Sequence, residues 1–375
     1  MNRISTFAAA ALSAVLLSAC KGGPELIPAS NFVSEIDGVP IGLFTLHNGD
    51  ITAQVTNFGA RVVSLYAPDR EGKLEDIVVG HDNIDAYVEP SGERFFGAVV
   101  GPVANRIGKA SFTVDGQVYN TPVNDHDANT LHGGILGVDM LPWSVVGYTD
   151  SSISLALLHP DGLEGYPGNL RIALTYSLLD DNSLKIEYTA TTDRPCPVNL
   201  TSHPFFCLRG EGNGSVEEYM LQINASSFIP IDSESIPTGG IAPVEGTPFD
   251  FREPHLIGER IGDYDEQLVN GRGYDHNWCI DREGDSLEEL CRVTDPLSGR
   301  SVAVISDRRG LQFYSGNFFD GSECGKNGKP LSFRSSLALE AQDWPDTPNN
   351  PVFGDITLRP GEEYSQTTVY KFSVL

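Results

Sequence analysis

Apolar residues recur at every second position in segment after segment of this chain. Leu170, Ile172, Leu174, Tyr176 and Leu178 fall on one face, with Arg171, Thr175 and Ser177 on the other. Leu184, Ile186 and Tyr188 alternate with Lys185, Glu187 and Thr189, and Tyr219, Leu221, Ile223 and Ala225 repeat the pattern. A side-chain period of two belongs to a strand with one buried face; a helix would scatter such a row around its axis. Asp180-Asp181-Asn182 predicts a hairpin turn between the first two strands. A second hairpin or meander is predicted further on: Leu290–Val293, a turn at 295–299, Ser301–Ser306, a turn at 307–310 and Leu311–Ser315. Proline presets φ and glycine tolerates positive φ, so 39 Gly and 24 Pro suit a chain of many tight turns. Helical pattern is confined to Asn83–Val88 and Asp265–Val269, a turn or two each. There is no βαβ alternation, G-x-G-x-x-G or P-loop, which argues against the nucleotide-binding α/β folds. Many short strands at spacings of roughly 8–12 residues predict an all-β fold, a large sandwich or barrel. Residues 31–375 read as one domain.

Charge narrows the partners. The 375 residues carry 25 Lys+Arg against 51 Asp+Glu, a net −26. A nucleic-acid binder needs a basic face to neutralise phosphates, and an anionic lipid surface would repel this chain. With 40% hydrophobic and 20% charged residues, it is not a disordered acidic tail either.

Met1–Cys20 reads as an export signal. Arg3 supplies a positive start, and Phe7–Leu17 is an uncharged apolar run too short to span a bilayer. The run ends in Leu17-Ser18-Ala19-Cys20, which resembles the bacterial lipobox. That resemblance implies removal of residues 1–19, acylation of Cys20 and a tether over residues 20–30. More than one acyl chain on one cysteine makes a stable anchor. Lys21 rather than Asp after Cys20 points to the outer membrane, facing the periplasm, under the sorting rule of enteric bacteria. The other cysteines are Cys196, Cys207, Cys279, Cys291 and Cys324. No C-x-x-C occurs, and an odd number leaves at least one thiol unpaired.

Chemistry concentrates in a few places. Asn105-Arg106 interrupts a Gly-rich apolar stretch, and arginine's planar fork of donors suits sugar hydroxyls or carboxylates. His132 precedes Gly133-Gly134, where backbone can approach a ligand closely. His203 lies beside Phe205 and Phe206 in a strand-like run, as a core histidine or a proton donor. Tyr274-Asp275-His276-Asn277-Trp278 has the composition of a carbohydrate site or of a turn entering a strand. Glu340 closes an apolar strand, where burial would raise its pKa toward that of a general base and solvent would leave it an edge residue. Asp125-His126-Asp127 could hold a metal but reads as a solvated polar loop, so no metal is expected.

The order of these motifs resembles the aldose 1-epimerases, or galactose mutarotases. The family pattern is nearly matched at Gly101–Ile107, then follows at Leu131–Gly134, Pro160–Gly168, Thr201–Leu208, Gly273–His276 and Ala338–Gln342. The resemblance covers nearly all of residues 31–375. It implies a single large antiparallel β-sandwich, an isomerase acting on free hexoses such as glucose and galactose, and no cofactor. It makes Glu340 the general base and His203 the general acid, with Arg106, His132 and Asp275 holding the sugar and Asn105 and Gln342 as secondary candidates. The acidic surroundings are expected to keep a proton on His203. Ser202, Phe205 and Cys207 depart from the usual Asn, Tyr and Asn, which bears on sugar preference. The competing readings are an epimerase of sugar phosphates or larger glycans, and a non-catalytic carbohydrate-binding lipoprotein. No protein partner is evident.

Overall fold

The computed structural model describes residues 24–375. The expected signal segment 1–19, the lipidation site Cys20 and residues 21–23 of the expected tether lie outside the described residues. The part of the tether that is described docks on the body. Ile27 exchanges backbone hydrogen bonds with the Gln54 carboxamide, both at 2.9 Å, and Tyr66 donates its hydroxyl to Glu25 O at 2.5 Å.

Strands dominate, and the ladders between them are antiparallel. A nine-stranded sheet runs Ser144–Tyr148, Ser152–His159, Leu170–Leu179, Ser183–Thr191, Tyr364–Val374, Arg300–Ser306, Glu288–Thr294, Met220–Ile223 and His255–Leu256. A six-stranded sheet runs Phe205–Phe206, Leu337–Gln342, Gly310–Tyr314, Asp275–Cys279, Ser227–Ile229 and Ala242–Pro243. A four-stranded meander, Leu43–Asn48 to Leu74–Asp76, adds Arg61–Pro68 to the packing. The only α-helices among the described residues are Asp85–Val88 and Glu266–Asn270, where the weak helical pattern placed them.

Alternation becomes a core in the expected way. Leu170, Ile172, Leu174, Tyr176 and Leu178 are all buried, and Leu184, Ile186 and Tyr188 pack beside them. They meet Leu311, Phe313, Leu337, Leu339, Ala341 and Trp278 from the six-stranded sheet in one cluster. Tyr370 donates its hydroxyl to Leu339 O at 3.0 Å, pinning the sheets together in the middle of that core. The strand Leu337–Gln342 is buried on both faces. Its Leu337-Leu339-Ala341 face joins the core, so Ala338, Glu340 and Gln342 face the other way and are buried by something else. The five cysteines beyond Cys20 are free thiols, with Cys324 alone exposed.

Leu174 packs inside the core and Arg171, on the same strand, faces solvent. Leu174→Ala should cost about 2–5 kcal/mol of unfolding free energy, and Arg171→Ala less than about 0.5 kcal/mol, both measured by urea denaturation.

Candidate active site

The outward face of the six-stranded sheet carries the chemistry. Gln312 pairs in register with Glu340 on one side and Asn277 on the other. One rung along, Tyr314 pairs with Ala338 and with Asp275. Period two therefore puts Glu340, Gln312 and Asp275 on one surface, away from the core. That surface is covered by two loop systems. His203 ends the strand Thr201–His203, which pairs with Ala98–Val100. Arg106–Ile107 pairs with Thr130–Leu131, so two motifs separate in sequence become one small ladder.

The resulting cleft has a volume of about 250 Å³ and is lined by Asn105, Arg106, His132, His203, Asp275 and Glu340, with Glu93, Phe95, Asp125, Tyr314 and Phe318 at its sides. His203 Nε2 lies 3.4 Å from Glu340 Oε1, and both side chains are nearly inaccessible. Glu340 is 2% exposed, which overturns the alternative of an edge glutamate in solvent. The His132 ring stands perpendicular to His203 at 5.2 Å, and Phe95 packs on His132 at 4.6 Å. Asp275 accepts from Gln312 Nε2 at 2.7 Å. Arg106 donates Nε to Asp125 Oδ2 at 2.9 Å, which leaves its terminal NH groups for a ligand. Gln342 is the one expected site residue outside the cleft. It is fully buried two residues beyond Glu340, beside Gly310 in the ladder.

Local backbone sets the aim of these groups. Asn105 and His132 both take left-handed conformations, at φ 61° and 50°. The bend lets Asn105 donate its N–H to His132 Nδ1 at 3.1 Å while His132 donates its own N–H back to Asn105 O at 2.9 Å. Gly133 follows at φ 92°, and a Cβ there would stand 1.9 Å from Gly101 O. Only glycine fits that approach. The acceptor role of Nδ1 has a chemical consequence: the neutral ring carries its proton on Nε2 and presents a donor to the cleft. His132, His203 and Glu340 do bring ligand atoms within 4.8 Å of one another. A metal at His132 Nε2 would need the opposite tautomer, with Nδ1–H facing the Asn105 N–H. The donor set therefore fits a hydroxylated ligand better than a cation.

Burial rules the electrostatics. It pushes the Glu340 carboxyl well up, with Asp275 adding to the rise and Arg106 opposing it. It pushes Asp275 up as well, again against Arg106. It lowers His203 to about 4, and His132 well below the usual histidine range. The expectation that acidic surroundings hold a proton on His203 is thus corrected: loss of water outweighs the protein's negative charge. The rise at Glu340 extends upward the pH range in which the pair holds one proton. A protonated Glu340 with neutral His203 and an ionised Glu340 with imidazolium His203 differ only by transfer across the 3.4 Å contact.

Sequence reading missed several residues here. Asp125 is not a solvated loop residue but the partner of Arg106, with His126 Nδ1 at 2.9 Å from the same oxygen. Gln312 carried a signal, since it sits on an alternating strand. Tyr314 carried the same signal two residues on, and Glu93 and Phe318 carried none.

Known proteins resemble this chain over most of its length. The family profile described as Aldose 1-epimerase matches residues 42–371. The galactose mutarotase of Mus musculus is 41% identical over 337 residues, which cover 90% of this chain and 95% of that protein. The aldose 1-epimerase of Escherichia coli (strain K12) is 37% identical over 340 residues, covering 90% and 96%. Among solved structures, the aldose epimerase homologue from C. elegans has a TM-score of 0.81 at 31% identity, covering 89% of this chain and 99% of that one. The galactose 1-epimerase from Lactobacillus acidophilus has a TM-score of 0.78 at 27% identity, covering 92% and 97%.

Proposed function

The chain belongs to the aldose 1-epimerase family and is an isomerase with a galactose mutarotase-like all-β fold, and from that premise we propose how its cleft works. It interconverts the α and β anomers of free hexoses, with glucose and galactose as substrates. Glu340 takes the proton of the C1 hydroxyl while imidazolium His203 gives one to the ring oxygen. The bond from C1 to the ring oxygen breaks, and an open-chain aldehyde forms. Rotation about C1–C2 presents the other carbonyl face. The ring oxygen then attacks C1, returns its proton to His203, and the new C1 hydroxyl regains a proton from Glu340. Protons and electrons balance with no further reactant. Arg106 and His132 Nε2–H donate to sugar oxygens, Asp275 accepts from hydroxyls, and Asn105 holds the His132 ring in register.

The observation that carries this reading is the buried Nε2–Oε1 contact of 3.4 Å between His203 and Glu340 in a cleft of about 250 Å³. That volume suits one pyranose. A group that donates and a group that accepts, poised on one acetal centre, are what ring opening requires. Polarimetry with fresh α-D-glucose and α-D-galactose tests it. Glu340→Gln should lower kcat about a thousandfold with KM little changed. Sugar binding by calorimetry without any acceleration would instead favour a binding protein.

The pH profile follows from the shared proton. Below about 4 a second proton binds the pair at His203, and Glu340 can no longer act as base. At high pH the single proton leaves the pair, and His203 has nothing to donate. Burial raises Glu340, so that loss falls well above the usual carboxylate range. The two macroscopic values belong to the pair. A plot of kcat against pH should be a broad plateau through neutrality with both limbs falling.

Export and lipid anchoring at Cys20 are part of the proposal. They are supported by the apolar run Phe7–Leu17 and by Leu17-Ser18-Ala19-Cys20. No helix among the described residues is long and apolar enough to cross a membrane. Metabolic labelling with a fatty acid should mark the wild type and not Cys20→Ser, which should move from the membrane fraction to the soluble one.

A further inference from the structure

The Glu340 carboxylate has one oxygen on His203 and one, Oε2, that is buried with no protein partner. The same sheet face carries buried carboxamides in the same condition. Both side-chain polar atoms of Gln342 and both of Asn277 are buried without partners. Gln342 is two residues from Glu340 on the same face, and Asn277 is one strand beyond Gln312, which stands opposite Glu340. Gly310 pairs with Gln342, and a Cβ there would lie 2.7 Å from Asn277 Oδ1 and 2.9 Å from Trp344 Cδ1. The missing side chain opens a notch in the sheet face, and the Asn277 amide lies over it. Unsatisfied buried amides are costly, and a folded protein retains them where they serve a partner. The neighbouring Gln312 gives one of its two N–H groups to Asp275. Gln342 and Asn277 are the carboxamides among the described residues with both side-chain polar atoms buried and unpartnered.

We propose that Gln342 and Asn277 are positioning residues for the base, their N–H groups reaching Glu340 Oε2 through buried water at the notch beside Gly310. The proposal rests on Glu340 acting as base. The charged and titratable groups that face Glu340 are His203, His132, Arg106, Asp275, Glu93 and Tyr370. Arg106 is the sole fixed cation among them, and its Nε is already engaged by Asp125. Neutral donors at Oε2 favour the ionised carboxylate and so the arrangement with the proton on His203.

The two consequences are linked. Removing a donor makes the active arrangement of the pair rarer and holds the shared proton more tightly. The plateau of kcat falls and the alkaline limb rises by matching amounts, tenfold in rate for each pH unit. The test uses Gln342→Met and Asn277→Leu in the otherwise intact chain, which replace each amide by an apolar group of similar volume. Each should fold with a melting temperature close to that of the wild type, since the apolar replacement removes the hydrogen bond and the amide's desolvation cost together. Each should show a plateau about tenfold lower and an alkaline limb about one pH unit higher, with KM within about twofold. If one variant fails to fold, the other decides. A folded variant with wild-type plateau and alkaline limb overturns the proposal, as does a drop in kcat with no movement of the limb. Full activity in Glu340→Gln would instead overturn the reading of the base itself, a separable outcome.

Discussion

Arg61 is fully buried, and its guanidinium donates to the carbonyls of Arg94 at 2.6 Å, Phe96 at 3.1 Å and Asp139 at 2.8 Å. The Asp139 carboxylate lies 3.7 Å from it and also takes Arg94 at 2.9 Å. Arg94 in turn donates to Gly134 O and Ile135 O, both at 2.9 Å. One cation on a strand of the four-stranded meander thus fixes the loop that carries Phe95 and the turn that follows His132. Two walls of the cleft hang from it. Burying a charge is expensive, and cutting such a network leaves an uncompensated ion at a cost of about 3–5 kcal/mol. The Tyr87 ring, 5.0 Å from the guanidinium, adds a face to the same enclosure. Glu340 sits on the six-stranded sheet and His203 on a separate ladder with Ala98–Val100, so the fold divides the labour: ladders hold the acid and base strands, and one ion cluster holds the loops against them.

Desolvation governs the chemistry in the same way. A solvated carboxylate and imidazole would titrate apart, and at neutral pH the pair would rest as carboxylate and neutral ring with no proton to give. Burial moves Glu340 up and His203 down, which reverses their ordinary order of basicity. Arg106 and Asp275 bias where a shared proton rests, in opposite directions. A sugar entering the cleft replaces lost water with hydroxyls.

Much of this was legible in the chain. The alternation at Leu170–Leu178 became the buried face of Leu170–Leu179, and the weak helical segments became the two short helices. The motifs naming Arg106, His132, His203, Asp275 and Glu340 converge on one cleft. What was hidden depends on contacts between distant residues. Asp125 reads as loop because its partner Arg106 is 19 positions away across a turn. Gln312 reaches Asp275 over 37 positions. The strand Leu337–Gln342 left Glu340 open between burial and solvent because its polar face is covered by loops that local pattern cannot place. The protonation of His203 was misread for the same reason, since net charge is visible in a sequence and burial is not.

The docked segment from Glu25 to Pro28 sets a geometric limit. Gln54 and Tyr66 hold it to the meander sheet. With Cys20 acylated as proposed, only the steps from residue 20 to residue 24 separate lipid from folded protein, at most about 14 Å of extended chain. A leash so short restricts tumbling and keeps the body skimming the bilayer. Under that anchoring, diffusion of the enzyme would be two-dimensional, and its substrate would be whatever sugar passes within a molecular diameter of that surface.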